Sequence, residues 1–146
     1  EKYAVRCGGG VNHRMSLSDA ALVKDNHIVA AGGVAEAFAA VRAAAPSIVL
    51  EIEVDTIDQL RTALAAGADL VLLDNMKPDV LREAVAIAAQ HLASTGRAVV
   101  LEASGGLTLE NAQSVAATGV NYISVGALTH SAKVLDIGLD LETIVA

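Results

Sequence analysis

The feature that most constrains the fold is a regular alternation of short apolar runs with longer, alanine-rich segments of helical spacing. The runs are short and partly β-branched, as buried strands are, and they cover residues 21–23, 48–54, 70–73, 98–101 and 122–125. Because such strands alternate with helices, the sequence predicts an α/β protein with parallel strands and right-handed crossovers.

The segments between these runs contain helix boundary signals. An apolar stripe through Val34, Phe38 and Val41 predicts one helix, which Pro46 ends. The later helices are predicted to begin at a capping residue or a proline and to end at a glycine; the starts are Thr56, Pro78 and Thr108, and the glycines are Gly67, Gly96 and Gly119.

Two architectures fit this alternation, an open doubly wound sheet and a parallel α/β barrel. No glycine-rich dinucleotide fingerprint precedes the first helix, which disfavours a dinucleotide-binding doubly wound sheet. Polar residues fall at the predicted carboxyl ends of the strands, where barrels hold their active sites. Since such barrels take about 250 residues, we expect residues 1–146 to form one domain that is part of a parallel barrel, without its first strand or strands.

Composition excludes several classes of function. The net charge is −7 and the ten basic residues are scattered, so a nucleic-acid surface is not expected. No apolar run is long enough to span a membrane. A single cysteine, Cys7, excludes an internal disulfide and indicates a reducing compartment, and we expect a cytoplasmic protein.

Three charged residues close the first three predicted strands. Lys24 follows the first strand, Glu53 lies near the end of the second, and Asp74 follows the third. Two carboxylates on neighbouring strands could bind Mg²⁺ or accept hydrogen bonds from sugar hydroxyls; the alternative is a pair of solvated strand ends. Glu51, Glu53 and Asp55 share a face, because alternate strand residues point the same way. We therefore expect some of these carboxylates either to lie beyond the packed layers of the barrel, near its mouth, or to pair with Lys24 or Arg14.

Two glycine turns follow the fourth and fifth strands. Ser104, Gly105 and Gly106 precede the helix that Thr108 opens, and Val125, Gly126 and Ala127 follow the fifth strand. Glycine allows backbone N–H groups to approach a ligand, and a helix N-terminus attracts anions. The two turns are therefore either a phosphate cradle or simple tight turns.

A basic cluster lies near the N-terminus. His13 and Arg14 precede Lys24 by about ten residues, and the guanidinium fork of arginine suits a carboxylate. The sequence predicts an anion site here, with surface or loop positions as the alternative. His130, in the run GALTHS, is either a phosphate donor or a cap of the short turn after it.

The runs EKYAVRCGGGVNHRMSLSDAALVKDNHI, LEIEVDT, LVLLDNM, LEASGGL and ISVGALTHS, in this order and spacing, resemble the C-terminal domain of the quinolinate phosphoribosyltransferase family. The resemblance covers nearly the whole chain. It implies an enzyme of NAD biosynthesis that converts quinolinate and phosphoribosyl pyrophosphate, with Mg²⁺, into nicotinate mononucleotide, pyrophosphate and CO2.

The resemblance also implies roles for the residues. His13, Arg14 and Lys24 would line the quinolinate pocket, and Glu53 and Asp74 would hold the ribose hydroxyls, directly or through Mg²⁺. The 5′-phosphate would lie in the two turns, and His130 belongs to the second of them; the turn residues are Ser104, Gly105, Gly106, Val125, Gly126 and Ala127. Lys24, Glu53 and Asp74 are the expected catalytic residues.

Two departures from the family pattern bear on activity. The family has a threonine-arginine-lysine-threonine segment and an N-terminal domain upstream, and that domain supplies an arginine across a dimer interface. Residues 1–146 contain neither, so we expect little activity for this chain alone. For the full-length protein we expect a homo-oligomer, a dimer or higher. Ser16 stands where many members have glycine.

Two alternative functions remain open. One is a related enzyme with another pyridine carboxylate acceptor, and the other is a non-catalytic phosphate-binding barrel fragment.

Overall fold

The computed structural model describes residues 1–142 and contains one sheet of five parallel strands in the order β1-β2-β3-β4-β5. The strands are β1 (Ala20–Val23), β2 (Val49–Val54), β3 (Leu70–Asp74), β4 (Val100–Ser104) and β5 (Tyr122–Ile123). A doubly wound sheet reverses its strand order, and this sheet does not. Sequential order with right-handed crossovers puts the connecting helices on one face, as in part of a barrel, which confirms the predicted fold class.

Seven helices connect and flank the strands of the described residues. They are α1 (Lys2–Cys7), α2 (Asp25–Ala31), α3 (Val34–Ala44), α4 (Ile57–Ala65), α5 (Pro78–Thr95), α6 (Leu109–Ala116) and α7 (Ala127–His130). The predicted helices correspond to α3 to α6. The sequence interpretation missed α1, α2 and α7, which have four to seven residues and bury none of their side chains, so they lack the apolar stripe on which the prediction depended.

The two faces of the sheet have different compositions. The face that packs against the helices contributes the apolar core, which includes Val23, Ile52, Val71, Leu73 and Leu101. Alternate residues point to the opposite face, which we call the inner face; it carries Glu51, Glu53, Leu72, Asp74, Glu102, Ser104 and Ser124. The apolar core therefore lies between the sheet and the helices, and the polar side chains lie on the inner face.

Strand boundaries differ from the predicted ones at β4 and β5. The fourth strand begins at Val100 rather than residue 98, because its pairing with β3 starts where the Val100 N–H donates to the Asp69 carbonyl. It also extends through Ser104, which pairs with Asp74. The fifth strand has two residues rather than four, since it pairs only with β4 among the described residues.

The predicted helix ends have the expected backbone geometry. Thr56 caps α4 by accepting a hydrogen bond from the Gln59 N–H at 3.2 Å. The Gln59 side chain accepts from the Asp55 N–H rather than returning to Thr56. Gly67, Gly96 and Gly119 all have left-handed φ, from 74° to 96°, as a chain that leaves a helix at a glycine requires.

Among residues 1–142, no single helix has the length and apolar content needed to cross a membrane. One sharply bent pair, α2 with α3, reaches those limits only when its two helices are taken together.

Candidate functional site

The carboxyl ends of the strands bring four of the predicted residues to one edge of the sheet. All five strands are parallel, so Asp74 and Ser104, which end β3 and β4, lie at the same edge as Glu53, the last residue but one of β2, and Lys24, which directly follows β1. Asp74 pairs with Ser104 in the register of β3 and β4. The edge therefore combines a cation, two carboxylates and the start of a glycine turn.

Lys24 and Glu53 form an ion pair between neighbouring strands. The Lys24 Nζ lies 3.3 Å from Oε2 of Glu53, whose side chain is 12% exposed, whereas that of Lys24 is 51% exposed. Lys24 is also the N-cap residue of α2, and its backbone N–H donates to Nδ1 of His27. Of the arrangements expected for these carboxylates, pairing with Lys24 is the one that Glu53 adopts.

Asp74 lies beside a strained turn that contacts the first glycine of the predicted phosphate cradle. Asn75 has φ of 53°, its backbone N–H donates to the Ser104 carbonyl, and its Nδ2 donates to Oδ2 of Asp74 at 2.7 Å. Gly105 has φ of 93°, and a Cβ there would lie 2.3 Å from Oδ1 of Asn75. Only glycine fits this position without displacement, so the turns after β3 and β4 are packed together.

Asn111 joins the glycine turn to helix α6. Its Oδ1 accepts a hydrogen bond from the Thr108 N–H at 2.8 Å, and its Nδ2 donates to the Gly106 carbonyl at 3.0 Å. A cavity of about 150 Å³ adjoins this turn, with Ser104, Gly105 and Asn111 in its wall. Sequence reasoning missed Asn111, although its position three residues after Thr108 is a capping-box signal.

The second glycine turn has a different geometry. Gly126 precedes α7 with an ordinary helical φ of −60°, so its backbone conformation does not require glycine. A Cβ there would lie 3.2 Å from Nε2 of His130. His130 is exposed, and its Nδ1 shares a hydrogen with the Ser131 hydroxyl at 2.7 Å. Val125, Gly126, Ala127 and His130 thus lie together just beyond β5, as the sequence predicts.

His13 lies over the inner face among two glutamates that sequence reasoning did not assign to the site. Its Nε2 is 2.6 Å from Oε2 of Glu51 and 3.7 Å from Oε1 of Glu102. Glu51 is 2% exposed and Glu102 is 6% exposed. Ser124 donates a hydrogen bond to Oε1 of Glu102. His13, Glu51, Glu102 and Ser124 form a cluster that we call the inner-face cluster. It joins the loop before β1 to strands β2 and β4 and to the residue after β5.

Burial raises the pKa of the Glu51 carboxyl, and the nearby Glu102 charge raises it further, while His13 and then Arg14 oppose the shift. Oε1 of Glu51 has no hydrogen-bond partner among the described residues. A buried carboxylate without full pairing favours its protonated form.

Arg14 lies at the beginning of β1 rather than at its carboxyl end. Its Nη1 donates to the Ala20 carbonyl at 3.0 Å, and its charge reaches Glu51. The basic cluster predicted from the sequence is therefore divided: Lys24 lies at the carboxyl edge, while His13 and Arg14 lie beside the inner face.

Two groups of residues have the chemistry of metal ligands. His13, Glu51 and Glu102 offer donor atoms within 4.8 Å of one another, but the 2.6 Å contact between His13 and Glu51 is shorter than the roughly 3 Å between adjacent ligands of Mg²⁺ at about 2.1 Å. We therefore describe this group as hydrogen-bonded. Glu53 and Asp74 supply the hard carboxylate oxygens that suit Mg²⁺, which commonly binds one or two carboxylates together with substrate phosphates.

Comparisons with known proteins identify the family of the chain. The model of the family "Quinolinate phosphoribosyl transferase, C-terminal domain" matches residues 1–140. The nicotinate-nucleotide pyrophosphorylase [carboxylating] of Mycobacterium leprae is 55% identical over 141 residues, which are 97% of this chain and 48% of that protein. The human protein of the same name is 42% identical over 142 residues, 97% of this chain and 46% of that protein.

Solved structures give the same result. The nicotinate-nucleotide pyrophosphorylase from Ehrlichia chaffeensis superimposes with a TM-score of 0.86 at 39% identity, over 97% of this chain and 49% of that one. The protein of that name from Francisella tularensis superimposes with a TM-score of 0.79 at 46% sequence identity, over 87% of this chain and 43% of that one. The chain spans about half the length of the curated relatives it matches.

Proposed function

The chain belongs to the quinolinate phosphoribosyl transferase C-terminal domain family, and from this membership we propose that its full-length protein makes nicotinate mononucleotide in NAD biosynthesis. The substrates are quinolinate and phosphoribosyl pyrophosphate, and the other products are pyrophosphate and CO2. The convergence of Lys24, Glu53, Asp74 and the Ser104–Gly106 turn at one edge of the sheet carries the proposal.

The edge is suited to a sugar phosphate. Glu53 and Asp74 accept hydrogen bonds from ribose hydroxyls, and their charges stabilise the positive charge that develops at the ribose C1 as pyrophosphate leaves. The phosphate lies at the Gly105–Gly106 turn and the N-terminus of α6, where backbone N–H groups and the helix dipole favour an anion. Val125, Gly126, Ala127 and His130 form the second side of this phosphate site.

The basic residues orient the acceptor. Lys24 at the carboxyl edge and His13 beside the inner face bind the carboxylates of quinolinate and thereby aim its ring nitrogen at C1 of the ribose. Arg14 joins them only if its guanidinium leaves the Ala20 carbonyl that it contacts here. Fixed orientation converts the encounter of two substrates into a reaction within one complex. Decarboxylation then occurs on the bound nucleotide, whose cationic ring nitrogen accepts the electron pair, so no side-chain nucleophile is needed.

Mg²⁺ fits the donor set of Glu53 and Asp74 and would be held by them directly or through water. When bound, it neutralises charge on the pyrophosphate leaving group.

We propose a homo-oligomer, a dimer or higher, as the full-length form. Exposed apolar side chains near the end of the described residues support this; they are Val134, Leu135, Ile137, Leu139 and Leu141. We also propose a cytoplasmic location, which the exposed free thiol of Cys7 supports.

The test is a product assay with the full-length protein, phosphoribosyl pyrophosphate and Mg²⁺. Quinolinate should give nicotinate mononucleotide and CO2 in equal amounts. Turnover of a different pyridine carboxylate in preference to quinolinate would instead indicate a related transferase. Binding of phosphoribosyl pyrophosphate that is no tighter than that of inorganic phosphate, with no turnover, would indicate a phosphate-binding fragment.

A further inference from the structure

Asn75 has an unusual backbone conformation directly after the end of β3. Its φ of 53° is the one left-handed value at a residue other than glycine among residues 1–142. The Asn75 N–H donates to the Ser104 carbonyl at 2.9 Å, so the chain bends towards β4 at this point. Glycine adopts such a conformation without cost, whereas asparagine tolerates it at some cost. A strained residue beside a candidate site indicates that its side chain has a role that glycine could not fill.

The side-chain amide of Asn75 contacts the ends of two strands. Nδ2 donates to Oδ2 of Asp74 at 2.7 Å, and Oδ1 faces Gly105, where an added Cβ would clash with it. The reverse orientation of the amide would place two oxygen acceptors 2.7 Å apart, and these would repel each other. The nitrogen therefore faces Asp74, and the oxygen faces the glycine turn after β4.

The hydrogen bond from Asn75 restricts the carboxylate of Asp74. The last torsion of an aspartate side chain is broad when nothing holds it. A hydrogen bond to a carboxylate is charge-assisted and stronger than one between neutral groups. Asn75 engages Oδ2 and leaves Oδ1 of the half-buried Asp74 to accept from a ligand.

We propose that Asn75 is a positioning residue, which fixes the direction of the Asp74 carboxylate relative to the Gly105–Gly106 turn. A ribose phosphate would occupy both places at once, with a hydroxyl group at Asp74 and the phosphate at the turn. Because one side chain contacts both, it keeps their spacing matched to this substrate, and small misplacements of a bound substrate are costly in rate. The identity of the substrate rests on the proposed function, whereas the contact of Asn75 with Asp74 does not.

Two variants of the full-length protein separate the side chain from the backbone. Asn75→Gly suits the left-handed φ and removes the amide, whereas Asn75→Asp keeps the shape and replaces the donor with an oxygen. Both should lower kcat/KM for phosphoribosyl pyrophosphate about 10-fold, as the loss of one charge-assisted hydrogen bond does, with KM for quinolinate within about twofold. Asn75→Gly should unfold at or above the wild-type temperature, since it relieves the backbone.

The control for the kinetics is Glu83→Gln, which changes an exposed residue of α5 and should leave both constants unchanged. Wild-type kinetics in Asn75→Gly would mean that only the backbone turn matters. Wild-type kinetics in Asn75→Asp would mean that only the shape of the side chain matters. Either result would overturn the inference.

NMR spectroscopy tests the contact without the reaction. The Nδ2 signals of Asn75, assigned by their loss in Asn75→Gly, should shift when Asp74→Ala removes the acceptor. Asp79→Asn, at an exposed carboxylate of α5, should leave them unchanged. Signals that do not respond to Asp74→Ala would overturn the inference. A wild-type protein that shows the contact but neither binds nor converts quinolinate would instead overturn the proposed function.

Discussion

The ammonium of Lys24 and the carboxylate of Glu53 lie 3.3 Å apart and join β1 to β2 at the carboxyl edge of the sheet. Because Lys24 is half exposed, water and salt screen the pair, and it contributes at most about 1 kcal/mol to stability. A pair of this kind is easily opened by a ligand that offers Lys24 a carboxylate and Glu53 a hydroxyl group. On the proposed function, Lys24 and Glu53 would therefore exchange this contact for contacts with the substrates.

Replacing Glu53 should reduce catalysis much more than stability. In the proposed reaction, Glu53→Gln would remove a charge that stabilises positive charge at C1 in the transition state, so we expect kcat to fall about 100-fold. Measurement of nicotinate mononucleotide formation, together with thermal unfolding, separates the two effects. Asp55→Asn is the matched control, because Asp55 is an exposed carboxylate two residues further along the chain. Equal losses in both variants would show that general surface charge, rather than Glu53, supports the reaction.

The Gly105 turn gives a stability prediction with an internal reference. Gly105→Ala and Gly96→Ala both place a side chain at a left-handed φ, which costs about 1 kcal/mol in each. At Gly105 the new Cβ also meets Asn75 at 2.3 Å, whereas Gly96 has nothing within 4 Å. We expect Gly105→Ala to lower the free energy of unfolding, measured in urea, by about 2 kcal/mol more than Gly96→Ala does. Similar losses would mean that the two turns move apart at little cost.

Asn111 should matter for phosphoribosyl pyrophosphate through its two hydrogen bonds to the turn. Asn111→Ala removes the bonds to Thr108 and Gly106, so the backbone N–H groups of the turn lose their fixed direction. We expect KM for phosphoribosyl pyrophosphate to rise about 10-fold, with about 1 kcal/mol lost in stability. Gln113→Ala changes an exposed residue of the same helix and should leave both quantities unchanged. An unaffected KM in Asn111→Ala would remove the turn from the phosphate site.

Ser16 and Asp19 give a prediction about pH. The hydrogen bond from the Ser16 hydroxyl, followed by the backbone N–H groups of Ser16 and Met15, holds the pKa of Asp19 below its usual 3.8. A carboxyl with a lowered pKa stabilises the fold above the unfolded-state pKa, and this contribution disappears as pH falls through the folded-state pKa. A carboxyl NMR titration should therefore give a midpoint below 3.8.

The variant Ser16→Gly, which introduces the residue expected from the family pattern, should raise the Asp19 midpoint towards 3.8. Ser18→Ala is the control, since Ser18 contacts the Ser16 hydroxyl but not Asp19. A midpoint that does not respond to Ser16→Gly would show that the backbone donors alone cause the shift.

Residues 1–146 alone should have little turnover. The family pattern includes basic residues upstream and an arginine from another domain; on the proposed function, residues 1–146 without these groups would leave quinolinate incompletely oriented. Misplacement of a bound substrate by about 1 Å costs roughly 100-fold in rate, so we expect at most about 1% of the full-length activity. The assay compares nicotinate mononucleotide formed per active chain. Activity comparable to that of the full-length protein would show that this domain contains the complete site.

Much of the fold could be predicted from the sequence because the buried strands and their helix caps are local signals. Gly67 and Gly119 follow the helices before β3 and β5 as predicted, and Thr56 and Thr108 cap the starts of these two helices. The strand ends at Glu53 and Asp74 followed from the same signals, together with the rule that parallel strands end at one edge.

The inner-face cluster could not be predicted, for two physical reasons. The fourth strand was predicted to end at residue 101, which excluded Glu102, although Glu102 and Ser104 alternate as Glu51 and Glu53 do. The contact between His13 and Glu51 joins residues 38 positions apart, and no local pattern reports a contact of that range. The pairing of Lys24 with Glu53, by contrast, was among the alternatives predicted from the cost of burying unpaired carboxylates.

The sheet of the described residues has two uncovered borders, one along β1 and the other along β5. Each border presents backbone donors and acceptors that hydrogen-bond to no further strand, a surface on which extended segments of other molecules can dock. Solubility and a single assembly state therefore depend on what closes these borders. We therefore expect a chain whose β1 and β5 borders stay open to associate through them.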